Sequence, residues 1–97
     1  MTNEEAAYKI VKYIDEEMQD PHKSWSGYEQ MLLSYSQWAA YELVNLLLDN
    51  PFGNPISTID YFLLKMELYY RSSKNEKSRL VFLRALKTAE EIGIMFV

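Results

Sequence analysis

The chain contains no cysteine. That removes disulfides, thiolate catalysis and cysteine-ligated zinc sites together. Histidine occurs once, as His22, in a polar stretch beside Asp20 and Lys23. A metal centre built on converging imidazoles is therefore excluded, and so is a di-iron site made from Glu-x-x-His pairs. Asp15, Glu16 and Asp20 form the nearest carboxylate-only candidate, but that spacing is ordinary on any wet helix. Only three glycines are present. Neither the Gly-x-Gly-x-x-Gly turn nor the Walker phosphate loop occurs, and there is no Gly-x-Ser-x-Gly elbow. No apolar run approaches the roughly 20 residues of a membrane span. The start, Met1-Thr2-Asn3-Glu4-Glu5, is acidic and does not read as a secretory signal. Repeats and low-complexity tracts are also missing. The expectation is a cytoplasmic chain with no catalytic, cofactor-binding or metal-ligating residues, and not an enzyme.

What is present is a globular composition. Of 97 residues, 48% are hydrophobic and 25% charged, enough apolar content to oppose disorder. The length suits one domain over residues 1–97. Net charge is −4, which argues against general coating of nucleic acid. The layout is uneven. Residues 1–70 carry four bases and eleven acids, whereas residues 71–87 carry six bases and one acid. Arg71, Lys74, Lys77, Arg79, Arg84 and Lys87 make that basic stretch. It reads either as a solvated helix face or as a dock for an acidic partner or a phosphate backbone.

Apolar residues recur with period 3.6 in four segments, and no segment alternates at length with period 2. The first helix is expected over about 3–19. Thr2 or Asn3 caps it, and Ala7, Ile10, Val11, Ile14 and Met18 form its stripe. Pro21 ends it. A connection over 20–26 leads to a second capping box, Ser26 with Glu29, where Trp25 could staple onto the first turn. The second helix, about 27–48, has two apolar arcs. Tyr28, Met31, Leu32, Tyr35, Trp38, Ala39, Leu43 and Leu46 form the main one. Leu33, Ala40, Val44 and Leu47 form the other. Its only charges are Glu29 and Glu42. A surface helix shows one apolar face. This segment is therefore either the central helix of a bundle or a helix shared at an interface. Glu42 lies near the main arc. It reads as a rim residue, a member of a buried polar network or, least of all, a catalytic acid.

Asp49 to Pro55 breaks the second helix. The third helix is expected over about 58–71 with Ser57 as cap. Ile59, Phe62, Leu63, Met66, Tyr69 and Tyr70 face its core, while Tyr61, Leu64 and Leu68 lie on the other side. The turn over 71–75 precedes a fourth helix over about 76–92, whose inward residues are Val81, Phe82, Ala85, Leu86, Ala89 and Ile92. Gly93 suits a left-handed C′ position. The tail Ile94-Met95-Phe96-Val97 is apolar and should fold back over the bundle end or enter a partner.

These elements predict an all-α fold, a small antiparallel four-helix bundle with an apolar C-terminal tail. The second and third helices carry more apolar surface than one small bundle hides, and exposed apolar patches mark interfaces. The expected function is a non-enzymatic protein–protein interaction module, using a protein partner or a second copy of itself. Leu33, Trp38, Val44, Leu47, Tyr61, Leu64 and Leu68 are the candidate contacts. Small adaptors, inhibitors and immunity proteins of bacteria and phages are fold-level analogies. The alternative is a DNA-binding regulator using the basic fourth helix, in which Lys77, Arg84 and Lys87 share one arc.

Overall fold

In the computed structural model, residues 1–19 and 26–97 are described. They form α1 (Asn3–Glu17), α2 (Gly27–Asp49), α3 (Pro55–Ser72) and α4 (Glu76–Ile94). Each start has a side-chain cap that accepts otherwise orphaned N–H groups. Thr2 Oγ1 accepts from the Glu5 N–H at 3.3 Å. Ser26 and Glu29 complete a reciprocal capping box, both bonds at 3.2 Å. Asn54 Oδ1 accepts from the Ile56 and Ser57 N–H groups. Asn75 Oδ1 accepts from the Ser78 N–H at 2.8 Å.

Two boundaries differ from expectation. α3 starts at Pro55 with Asn54 as cap, one turn before the cap expected at Ser57. Proline is pre-organised for N1 and lacks only an N–H that would be orphaned there. α4 runs through Gly93 to Ile94, so Gly93 is not a left-handed terminator, and no glycine has positive φ among the described residues. Gly93 is instead a helical residue where α4 passes close to α3. A Cβ there would meet Ile59 Cγ2 at 3.4 Å. Beyond it, Phe96 folds back against the core, while Ile94 and Val97 stay exposed. The expected fold-back is thus made by one residue of the tail.

α2 and α4 are the central pair. α1 flanks α2, and α3 flanks α4. The molecule measures 39 × 34 × 21 Å, about two helix diameters in its thinnest direction. Sequence-adjacent α2 and α3 touch far less than either touches α4. Part of the reason lies in the turn between them, which the start of α1 holds. The Asn3 N–H donates to Gly53 O and the Glu4 N–H to Pro51 O, both at 3.0 Å. Asn3 itself is fully buried. Its Nδ2 donates to Asn50 O at 2.9 Å and to Thr58 Oγ1 at 3.0 Å. One side chain therefore ties α1, the 50–54 turn and α3 together.

The core is made from Ala6, Ala7, Ile10 and Ile14 of α1, with Met18 just beyond its end. α2 adds Ala39, Ala40, Leu43, Val44 and Leu47. α3 adds Ile59, Phe62 and Met66, and α4 adds Ala85, Ala89 and Ile92. Alanines at the contacts let the helix axes approach. The buried arc of α2 merges parts of the two arcs seen in its sequence. Because α1 and α4 both pack on α2, its wide apolar surface serves two neighbours inside one chain. The central-helix reading of α2 is the one the fold realises.

Candidate functional site

Burial separates the seven expected partner-binding residues into three groups. Val44 and Leu47 are sealed, at 5% and 0% exposure, and cannot touch a partner. That corrects the expectation, and the cause is the central place of α2. Leu33 is half-buried beside α4, lining a crevice of about 470 Å³ with Glu29, Leu32, Ser36 and Arg84. Trp38 is on the outer side of α2 with Tyr41 and Leu48, all exposed. Tyr61, Leu64 and Leu68 are 56%, 58% and 57% exposed. On a 3.6-residue helix these three fall within about 60°, and the buried trio Ile59, Phe62 and Met66 fall within another 60° on the far side. α3 is thus apolar on two nearly opposite faces. One face packs on α4 and the other meets solvent.

The outward stripe of α3 borders a groove between α3 and α4. Two adjoining hollows form it. The first, about 290 Å³, is lined by Ile56, Ile59, Leu63, Ile94 and Val97 with Asp60 and Glu90, and Gly93 lies in its wall. The second, about 310 Å³, shares Asp60, Leu63 and Glu90 and adds Leu64, Glu67 and Leu86. The walls are apolar, and the charged lining among the described residues is entirely acidic. Arg71 holds Glu67 from the end of α3 at 2.7 Å. Asp60 and Glu90 have no ion-pair partner among the described residues. Sequence periodicity put Leu63 and Leu86 on core-facing stripes, where they pack partly buried against the core, and gave no sign of the groove beside them. The readable signal was acids at 60 and 67 on the flank of an apolar stripe.

The basic segment runs from the end of α3 through the following turn into α4, and its members have different surroundings. Arg71 pairs with Glu67, and Arg79 stacks on Tyr70 at 5.1 Å from the ring centre. Arg84 is half-buried in the crevice against α2, while Lys74, Lys77 and Lys87 are exposed. α4 also packs on both α2 and α3. Glu42 is exposed, at the rim rather than in a buried network. Asp20, His22, Lys23 and Trp25 lie outside the described residues. Among the described residues no three acidic or histidine side chains converge on a metal-sized site. None of the described helices is long and apolar enough to cross a membrane.

Among the described residues one titrating group is displaced. Burial, followed by the negative charges of Glu91 and Glu17, pushes the Tyr13 phenol above its ordinary value of 10.0. The folded chain therefore holds that proton more tightly than the unfolded chain. This contribution to stability is fully present below pH 10 and is lost as pH rises through the folded value. The expected result is a stability that declines in this window, with part of the decline removed by Tyr13→Phe, read by urea titrations from pH 9 to 11. An unchanged slope in the variant would show that Tyr13 does not titrate abnormally.

Compared with protein-family models, curated proteins and solved structures, the chain matches none.

Proposed function

We propose that the protein is a non-enzymatic protein–protein interaction module of the adaptor, inhibitor or immunity type. It binds through the outer side of α3 and the adjoining groove. The observation that carries this reading is the second apolar face of α3, set opposite the face that builds the core. Burying the exposed part of Leu64 and Leu68, a little over half of each, would remove roughly 1–2 kcal/mol per side chain of unfavourable hydration, and the isolated chain leaves that gain unused. Tyrosine beside aliphatic residues is a frequent composition at binding centres. A chain without cysteine needs no oxidising compartment to fold, which is compatible with the cytoplasm, where we place the module.

A photo-cross-linking residue at position 64 tests the reading in cells of the native host. A discrete adduct is expected there and none from position 16 on the exposed side of α1. Leu68→Glu should abolish the adduct while leaving the melting temperature within about 2–4 °C of the parent, because a solvent-facing substitution costs less than about 0.5 kcal/mol. Absence of any adduct at 61, 64 and 68 would sink the proposal. So would a large stability loss in the Leu68 variant, which would make this face part of the fold.

A further inference from the structure

We infer that the groove between α3 and α4 takes a basic amphipathic helix of another protein, an occupant that rests on the interaction-module reading above. Shape supplies the first argument. The lining runs along α3 from Ile56 to Glu67, three turns or about 16 Å, and continues on α4 from Leu86 to Ile94. Two adjoining hollows of about 290 and 310 Å³ suit successive side chains of one inserted stripe, spaced i, i+3 or i+4, and i+7.

Charge supplies the second argument. Asp60 and Glu90 are exposed, line both hollows and are free of ion pairs among the described residues. Glu67 extends the acidic rim, and among the described residues no lysine or arginine lines either hollow. A lysine- or arginine-flanked apolar helix places leucine-sized groups on Ile59, Leu63 and Leu86 and cations on the rim. An acidic helix would bring like charges together, which is a discriminating term rather than a weak preference. A second copy of this chain offers a poorer match. Its exposed apolar stripe on α3 is flanked by the same Asp60 and Glu67, so that stripe would bring like charges onto the groove.

The test uses the full chain and a fluorescein-labelled peptide of leucine and lysine patterned as an amphipathic helix. Anisotropy should show saturable binding that weakens with salt. The pair Asp60→Lys with Glu90→Lys should weaken it at least about tenfold. The pair Asp15→Lys with Glu16→Lys, on the wet side of α1, changes net charge equally and should weaken it far less. A leucine–glutamate peptide of the same pattern should not bind. Circular dichroism melts confirm that every variant is folded. Equal loss in both charge pairs, or equal binding of the acidic peptide, would overturn the inference, as would failure of the lysine peptide to bind. An adduct at position 64 of twice the chain mass would also overturn it, in favour of self-pairing, while leaving the interaction-module reading standing. Loss of all adducts at 61, 64 and 68 would instead remove that reading itself.

Discussion

Leu47→Ala is expected to lower the unfolding free energy by about 2–5 kcal/mol, the range for deleting a fully buried leucine side chain. Leu47 has no solvent exposure and belongs to the central helix α2. Its neighbours cannot all collapse into the gap, since α1 and α4 press on α2 from different sides. The loss therefore contains a cavity part as well as lost transfer energy. For a chain of this size each kcal/mol moves the melting temperature by roughly 4–8 °C. Leu64→Ala is the matched comparison, the same chemistry on the outer face of α3. It should change stability by less than about 0.5 kcal/mol. Chemical denaturation of both variants measures the contrast. Comparable losses would mean that the outer stripe of α3 belongs to the folding core, and the binding face would lose its basis.

That contrast also shows what the sequence could and could not convey. All four helices were legible because their apolar residues recur at helical spacing and their caps are chemically distinctive. Ser26 with Glu29 is an example. The outer face of α3 was legible too, and much of the inner one: Ile59, Phe62 and Met66 are sealed, whereas Tyr69, also expected inward, is exposed. α2 was different. An arc wider than one neighbour can cover has no preferred centre in the sequence, so Val44 and Leu47 were assigned outward while Trp38 was placed with the main stripe. Only the positions of α1 and α4 decide the matter. Long-range placement also hid the groove, because Asp60 and Glu90 lie on different helices. Their approach depends on how α3 crosses α4 at Gly93. The Gly93 terminator reading failed for a local reason. Glycine after an apolar run resembles a terminator, yet helical φ is equally open to it and continuing the helix keeps Ile92 buried.

Asn3 carried almost no periodic signal, and it supports the other large effect. Asn3→Ala should cost about 2–3 kcal/mol, through two lost side-chain bonds in a fully buried site. Asn3 Oδ1, which has no partner among the described residues, tempers that figure, because alanine removes an unsatisfied acceptor together with the two donations. Gly53→Ala attacks the same junction from the turn. A Cβ at Gly53 would stand 2.5 Å from Asn50 Nδ2 and 2.7 Å from Asn3 Nδ2. Asn50 is exposed and its side chain can swing aside. Asn3 cannot, since moving its amide breaks its bonds to Asn50 O and Thr58 Oγ1. The cost of Gly53→Ala is thus largely a cost of displacing Asn3. In the Asn3→Ala background the new methyl has room. The two substitutions should be non-additive by about 0.5–3 kcal/mol, the double variant being more stable than the two single losses predict. Urea denaturation of the four-member cycle reads this directly. Strict additivity would mean that the turn and the start of α1 are not held through Asn3. The arrangement that keeps α2 and α3 apart would then need another cause.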